Sequence, residues 1–346
     1  MAKDHYLPAA FIGRFSKKNT GPARNRPIWV NNSRASKVIQ TTPSNIGFKR
    51  GLYNLSNGKS IDGWGYEQQL NRVLNDIGKG KSISLDDYLR VAVPFVTGLF
   101  VRGKEFNVRY ENIPTIKHLA ESDLINPDNT NMSRAMRLQK MLTPVTSARW
   151  VVLHNHSNGI PILSNDLGLV PTMDMLTGDT GWAVPLDAST VLGVFPSKSR
   201  HIATFHSGSW WAQIEHVYPD PQMFIGINNE IAKTADEFVF GPTKESVESV
   251  VATREKQPDD FAYIMEWSWT KMFTGRELSQ YDFHWYYLAG IAHKNVLPEG
   301  SKPYRFILED VGMGEKWSPS IPLLPGDNNA STGITFEKNS LYLNLS

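Results

Sequence analysis

The hydrophobic pattern of the chain changes its period near residue 150, and this change restricts the fold class. Between residues 66 and 77 apolar residues recur at steps of three and four, which predicts a helix with one apolar face, whereas the helix predicted at 88–106 is apolar around most of its circumference and is expected in the core. From Trp150 onward apolar residues alternate or run continuously, which predicts strands. Helices followed by strands predict an α+β fold, in which a helical bundle packs on a mixed or antiparallel sheet.

Turn, cap and stop residues define the predicted elements more closely. Helices are predicted at 64–77, 88–106, 133–142 and 222–239, and strands at 150–154, 159–164, 190–195 and 201–205. Ser84 has the position and residue type of an N-cap, and Pro94 should kink the helix that follows. Ser157-Asn158-Gly159 is typical of a turn, so the strands on either side of it predict a β-hairpin.

The first sixty residues form a basic N-terminal arm. They contain eleven Lys and Arg residues and one acid, Asp4, so the arm carries 11 − 1 = +10 and the remainder of the chain 2 − 10 = −8. Ile28-Trp29-Val30 and Ser36–Ile39 predict two short strands within the arm. A basic segment attached to an acidic body can bind nucleic acid through phosphates, and it can equally dock on that body.

Several classes of protein are excluded or disfavoured. The 346 residues include no cysteine, which excludes disulfides, thiolate zinc sites and cysteine nucleophiles. The glycine-rich motifs of phosphate loops, dinucleotide-binding folds and α/β-hydrolases do not occur. The first residues lack a secretory pattern, and the most apolar stretch, Val91–Val101, is too short to span a bilayer. A cytoplasmic protein without a membrane partner is therefore expected.

A series of motifs, in order along the chain, resembles one bacterial family. Asp4-His5-Tyr6-Leu7-Pro8, continued to Phe15, is similar to the family signature His-His-Tyr-Val-Pro, and further similarities lie at 28–30, 47–54, 67, 95–102, 159–171, 184–186 and 229–239. The family is catalogued as domain of unknown function 4238, and the resemblance covers roughly residues 4–245. The chain departs from it at Asp4 and at Ser164-Asn165-Asp166, where the family has His and Ser-Asp-Asn. The resemblance implies a domain at 1–245, followed by an aromatic-rich extension at 246–346.

The resemblance also implies a function. Members of this family resemble components of bacterial genome-defence islands that act against phage, so an anti-phage effector acting on nucleic acid or a nucleotide is expected. The alternative is a non-enzymatic sensor that recognises a phage or host protein through the aromatic-rich C-terminal third of the chain. A structural or assembly subunit is a third alternative.

The candidate site residues are polar side chains within or beside these motifs. His5 beside Asp4 and Arg14 is typical of an acid–base group with an anion clamp, although the same segment can simply plug the core. Asp166 follows a buried strand and can act as a general base or metal ligand, although Asn and Asp are also turn formers. The catalytic candidates are His5, Arg14, Asp166 and Asn229, and the substrate-binding candidates are Arg102, Ser164, Asn165, Lys17 and Lys18.

Two further patterns concern metals and ion pairs. His154 and His156 lie two residues apart on a predicted strand, so both imidazoles face the same way and are candidate ligands of a divalent metal. No other cofactor is indicated. Glu67 and Arg102 are interpreted as a structural ion pair that joins two helices.

Overall fold

The computed structural model describes residues 3–32, 37–54, 66–103, 131, 145–146, 148–156, 159–174, 178, 180–195, 199–252, 332–337 and 340–345. Within these ranges the fold is α+β, with mixed and antiparallel sheets, which confirms the predicted class. The predicted helix at 133–142 and the aromatic residues of 267–287 lie outside the described residues. The predicted boundary near residue 245 stays a prediction.

Fifteen strands and six α-helices are found in the described ranges. The strands are β1 (Lys3–His5), β2 (Ile28–Asn32), β3 (Val38–Thr41), β4 (Phe48–Arg50), β5 (Arg149–His154), β6 (Ser164–Asn165), β7 (Val170–Met173), β8 (Thr180–Asp187), β9 (Thr190–Phe195), β10 (Ser199–His206), β11 (Ser209–Ala212), β12 (Glu215–Val217), β13 (Phe238–Gly241), β14 (Thr332–Glu337) and β15 (Ser340–Leu345). The helices are α1 (Ala9–Ile12), α2 (Glu67–Gly78), α3 (Leu85–Asp87), α4 (Val93–Arg102), α5 (Gln222–Thr234) and α6 (Lys244–Val251).

A five-stranded mixed sheet lies at the centre, in the order β12-β5-β9-β8-β7. Strand β12 runs parallel to β5, and the remaining neighbours are antiparallel. Three smaller sheets accompany it: β3-β2-β13-β6, β11-β10-β15-β14, and the β1-β4 pair. Both long edges of β5 are therefore occupied by strands that are distant in sequence.

Helices cover both faces of the central sheet, because alternate residues of each strand point to opposite sides. On one face the rings of Tyr88 and Trp150 lie 4.8 Å apart and those of Phe100 and Trp182 5.1 Å apart, which seats the helices around α4 on β5 and β8. On the other face Ala183 and Val191 belong to the apolar cluster of α5, with Phe224, Ile227 and Ile231. The sheet thus separates two apolar cores.

The segment from Ser84 to Arg102 forms as its residues predict. The Ser84 hydroxyl accepts a 3.0 Å bond from the amide of Asp87, which caps α3. A π-helical turn, Tyr88–Ala92, then joins α3 to α4. Pro94 lies one residue after this turn and has no N–H for an intrahelical bond, so the irregularity falls where the proline predicts it.

The N-terminal arm docks on the body of the protein. Its strand β2 pairs antiparallel with β3 of the arm and with β13 of the body. A Cβ at Gly13 would lie 2.1 Å from the carbonyl oxygen of Ala23, so this close turn of the arm accepts only glycine. Of the two alternatives for the basic segment, docking is observed for these strands.

Two predicted elements are wrong. The hairpin of 150–154 and 159–164 does not form, because β5 pairs with β9 and β12 while the two-residue strand β6 pairs with β13. The helix predicted over 222–239 ends at Thr234, and Phe238–Gly241 is a strand. Among the helices of the described residues, none has the length and apolarity to cross a membrane.

Candidate functional site

A cleft of about 1320 Å³ opens between the arm and the body. We call it the arm cleft. It is bounded by the arm, the C-terminal end of α2, the turn between β8 and β9, the loop 159–161, α5 and the first turn of α6. Six separate segments of the chain therefore contribute to one concave surface, which is the usual setting of a ligand site.

One side of the cleft, the basic wall, carries Arg14, Lys17, Arg26 and Lys79. Arg26 donates from Nε to the carbonyl oxygen of Gly21 and from Nη2 to that of Asn19, both at 3.1 Å. These bonds fix the exposed loop that carries Lys17. The ammonium group of Lys17 is thereby placed at the mouth of the cleft.

Arg14 is buried and joins three parts of the structure. Its Nε donates to the carbonyl oxygen of Leu186 at 2.7 Å, its Nη1 to Asn75 Oδ1 at 2.6 Å, and its Nη2 to Asp187 Oδ2 at 3.1 Å. Burial lowers the pKa of Arg14, and the charge of Asp187 opposes that effect. The guanidinium therefore ties the arm to α2 and to the β8–β9 turn.

A second part of the lining, which we call the apolar wall, comes from the loop 159–161, α5 and the residues of and before α6, and consists of apolar and amide side chains: Ile160, Pro161, Ile225, Pro242, Val250, Asn228 and Asn229. Both polar atoms of the Asn228 side chain are hydrogen-bonded within the protein: Oδ1 accepts from the amide of Leu163, and Nδ2 donates to the carbonyl oxygen of Pro161, both at 2.9 Å. The side chain of Asn229, the next residue of α5, makes no hydrogen bond to the described part of the protein, and the residue is half-buried. Its amide is available to a ligand.

Two carboxylates, Asp187 and Glu245, partly offset the four basic groups. Asp187 Oδ1 accepts from both the amide and the hydroxyl of Ser189, at 2.9 and 2.8 Å, while its Oδ2 faces Arg14. At the start of α6, Thr243 Oγ1 accepts from the amide of Ser246 at 3.1 Å. The cleft thus keeps an excess of positive charge near an ordered helix start.

The structure divides the sequence-predicted site residues among separate places. Arg14, Lys17 and Asn229 line the arm cleft, whereas His5 and Asp166 do not. Lys18 is exposed next to Lys17 but does not line the cleft. The N-terminal motif nevertheless packs beside the turn at 164–166: a Cβ at Gly168 would lie 2.8 Å from a side-chain methyl carbon of Leu7, and the Tyr6 hydroxyl donates to Glu237 Oε2 at 2.7 Å.

Ser164, Asn165 and Asp166 are buried and hold backbone together. Asn165 Oδ1 accepts from the amides of Leu167 and Gly168, both at 3.1 Å, and its Nδ2 donates to α5. Asp166 is 3% exposed. Its Oδ1 accepts from the amides of Asp236 and Phe238, at 3.0 and 3.3 Å. Burial, reinforced by the charge of Asp236, raises the pKa of Asp166 to about 7. These are the contacts of a structural turn.

Arg102 lies in a second polar cluster, inside the protein. Its Nη1 donates to Glu67 Oε1 at 2.6 Å and to the hydroxyl of Tyr66 at 2.8 Å, and its Nη2 donates to the carbonyl oxygen of His5 at 2.5 Å. The predicted Glu67–Arg102 ion pair is therefore present and joins α2 to α4. Arg102 is buried, and the backbone of His5 is one of its partners.

The predicted histidine pair is part of a larger group of rings. His154 Nε2 and His216 Nδ1 share a hydrogen bond of 2.9 Å. The ring of Tyr218 stacks against His154 at 4.9 Å and against His156 at 4.6 Å. We call these four side chains the ring stack. Within the described residues no three metal-ligating side chains are grouped to hold an ion.

Four charged residues that line the cleft were missed by sequence reasoning: Arg26, Lys79, Asp187 and Glu245. The only available signals were a lysine between two helix-ending glycines and an aspartate at a turn between apolar strands. Comparison of the chain with known proteins found no matching family model, curated protein or solved structure. The resemblance to the domain of unknown function 4238 family stays a prediction.

Proposed function

We propose that the protein binds nucleotides in the arm cleft, with the phosphates on the basic wall and the nucleobase on the apolar wall. The observation that carries this proposal is that one cleft is lined both by four basic side chains, from the arm and the C-terminal end of α2, and by apolar and amide side chains, from the loop 159–161, α5 and the residues of and before α6. A nucleotide has the same division, with charge at one end and a flat heteroaromatic ring at the other.

The positive charge available to phosphate comes from Lys17, Arg26 and Lys79. Arg14 is neutralised by Asp187 and serves to shape the wall. No ion pair is found for Lys17 or Lys79 in the part of the chain that the structure describes. Arg26 keeps its Nη1 group for a ligand while Nε and Nη2 bond the arm loop. Hydrogen bonds from charged donors to phosphate are the strong kind, so these groups set the orientation of the ligand.

The apolar wall suits a nucleobase. Ile160, Pro161 and Ile225 offer flat apolar contact, and Asn229 offers a donor and an acceptor on one amide. Base edges present donors and acceptors in the same arrangement, so an amide can bond them in pairs. The cleft volume exceeds the range of roughly 300–1,000 Å³ usual for small ligands, so a complete nucleotide fits.

The biological setting follows from the resemblance alone. We propose that ligand recognition in the arm cleft serves an intracellular, anti-phage role in bacteria. Asp187, held by Arg14 and Ser189, borders the same cleft as Lys17 and Lys79. The alternative is a sensor that binds a protein through the C-terminal third of the chain. Most of that third lies outside the described residues.

Direct binding tests the proposal. A fluorescent ATP analogue is titrated into the full chain and competed with unlabelled mononucleotides. Lys17→Glu and Lys79→Glu should each weaken binding about tenfold or more, because each places a like charge against phosphate. Lys18→Glu, one residue from Lys17 but outside the cleft, is the matched control and should change affinity less than twofold.

Two results contradict the proposal. One is the absence of saturable binding by the unmodified chain. The other is an equal loss of affinity in the Lys18→Glu control, because attraction to the arm as a whole, and no defined cleft, would then explain the binding.

A further inference from the structure

The ring stack lies on the surface beside the arm cleft, and it has no part in the nucleotide site described above. We propose that it extends the cleft into a track for single-stranded nucleic acid, with bases stacking on the exposed rings. This inference rests on the proposed function, since the cleft would hold the phosphates of the same strand.

The stack is built from two parallel neighbouring strands and the residues just after them. In the β5–β12 pair His216 lies opposite Val152, so His154 and His216 are diagonal neighbours across the pair. Tyr218 and His156 continue the two segments outward. The planes of Tyr218 and His156 differ by 15° and those of Tyr218 and His154 by 26°, so the rings form one stacked series.

The two imidazole rings inside the stack, those of His154 and His216, favour the uncharged form. Burial lowers the pKa of His154, with a further decrease from the charge of His156 and an opposing effect from Asp187. Burial also lowers the pKa of His216, with His154 as the next cause. Both imidazoles are therefore neutral at physiological pH. Tyr218, which stacks on both His154 and His156, is 64% exposed, and His156 is exposed as well.

Backbone contacts connect the stack to the cleft. Asn155, between His154 and His156, donates from its backbone amide to the carbonyl oxygen of Ser189 at 2.9 Å, and its side-chain Nδ2 donates to the carbonyl oxygen of Ile160. Ser189 and Ile160 line the cleft. A Cβ at Gly80 would lie 3.9 Å from His216 Nδ1, and Gly80 follows Lys79 of the basic wall. The stack therefore begins where the cleft ends.

A single strand matches this combination. Exposed rings bind bases with little regard to sequence, because every base has a flat face. The acids beside the stack are already engaged: Asp220 Oδ1 accepts from the amide of Gln222 at 2.8 Å, and Glu215 pairs with Arg149 at 2.6 Å. A strand that places a phosphate between Lys17 and Lys79 can continue past Gly80 onto Tyr218. A mononucleotide would fill only the cleft.

The experiment compares two probes on the full chain. A fluorescein-labelled thymidine octamer should bind more tightly than the fluorescent ATP analogue. Tyr218→Ala should weaken octamer binding about tenfold and leave the ATP analogue within twofold, because loss of one stacking ring affects only a ligand that reaches it. Tyr218→Phe keeps the ring and should keep the affinity. Met173→Ala removes another side chain that is 61% exposed and should have no effect on either probe.

The outcomes separate this inference from the proposed function. If the ATP analogue binds and the octamer binds Tyr218→Ala as tightly as the unmodified chain, the track is wrong and the nucleotide site stands. The same conclusion follows if a blunt duplex binds as well as the single strand, because its bases are already stacked. If neither probe binds, both proposals are wrong.

Discussion

Asp166 combines a buried carboxyl group with two backbone donors. Its Oδ1 accepts from the amides of Asp236 and Phe238, so the side chain holds the connection between α5 and β13. Burial raises its pKa to about 7, and the negative charge of Asp236 adds to that effect. The carboxyl group is therefore protonated below neutral pH in the folded protein, whereas in the unfolded chain it ionises near pH 4.

This difference predicts a loss of stability as the pH rises. Because the folded pKa lies above the unfolded one, the contribution of Asp166 is fully present below about pH 4 and is lost as the pH rises through 7. One pKa unit corresponds to about 1.4 kcal/mol, so the loss should reach roughly 2–4 kcal/mol. Urea denaturation at half-unit pH steps from 4.5 to 8.5 measures it. Asp166→Asn should flatten the profile, because the amide keeps the acceptor and cannot ionise.

Asp236→Asn is the matched control for this prediction. Asp236 is exposed and acts on Asp166 through its charge, so its removal should shift the pH transition downward without abolishing it. An Asp166→Asn protein that keeps the pH dependence of the original chain would assign that dependence to other groups.

Residue-scale prediction from the sequence fails at Asp166 for a physical reason. A polar triplet after an apolar strand predicts an accessible loop, since isolated carboxylates are rarely buried. Here the triplet is buried because backbone amides of Leu167, Gly168, Asp236 and Phe238 need acceptors that the sheets do not supply. The donors to Asp166, the amides of Asp236 and Phe238, come from a segment about seventy residues away, and no local pattern indicates them.

At the scale of elements, the cap of α3 is predicted by sequence and confirmed, so its energy can be tested. The Ser84 hydroxyl satisfies the amide of Asp87, one of the unpaired donors of the first turn. Ser84→Ala should lower the free energy of unfolding by about 1 kcal/mol, and Ser84→Asp should restore most of the loss because aspartate is an equivalent cap. Urea denaturation at pH 7 measures both. Equal stability of the alanine and serine proteins would show that the cap contributes nothing.

Predicted elements were correct where one pattern decides the element and wrong where distant partners decide it. The apolar residues of α2 form a single face, Leu70, Val73, Leu74 and Ile77, and the helix begins three residues after its predicted start and ends one residue after its predicted end. The hairpin predicted after β5 does not form, because β9 and β12 pair with the two edges of that strand. A strand can pair with any compatible strand of the chain. A turn sequence indicates only that the two strands beside the turn could pair with each other.

The end of α5 shows the same limit. Apolar residues at 231, 232, 235 and 238 continue the helical period, which predicts a helix to 239. The helix ends at Thr234, whose hydroxyl donates to the carbonyl oxygen of Glu230 at 2.7 Å. Phe238 then pairs in β13 between β2 and β6. Phe238 is apolar because it lies in a buried strand, and continuous apolar residues are typical of such strands.

At the scale of the whole molecule, the candidate site depends on how distant segments meet. Arg14, Lys17 and Asn229 were predicted as site residues separately, and the fold brings them to one cleft. Lys79 and Asp187 complete it from a helix end and a strand turn. These residues converge because the arm docks on the body. The opposite charges of arm and body favour docking, and the pairing of β2 with β13 and the bonds of Arg14 determine where the arm lies. Sequence reasoning had no access to that position.

Arg14 offers the sharpest test of arm docking. Arg14→Met removes the donors to Asp187, Asn75 and the carbonyl oxygen of Leu186 while roughly preserving the volume of the side chain. Breaking a buried ion pair typically costs about 3–5 kcal/mol. Since the Asp187 side chain keeps 24% exposure, a loss of about 2–3 kcal/mol is expected. Urea denaturation should show that loss, and the amides of Ile28–Asn32 should exchange hydrogen faster than in the unmodified chain.

Two further variants isolate the cause. Arg24→Met, at an exposed position of the same arm, is the matched control and should change the stability by less than about 0.5 kcal/mol. Arg14→Met combined with Asp187→Asn should recover part of the lost stability, because no unpaired carboxylate then faces the cleft. If Arg14→Met alone unfolds at the same urea concentration as the unmodified chain and its β2 amides stay protected, strand pairing and apolar contact suffice to dock the arm. The guanidinium would then be left to act on ligands only.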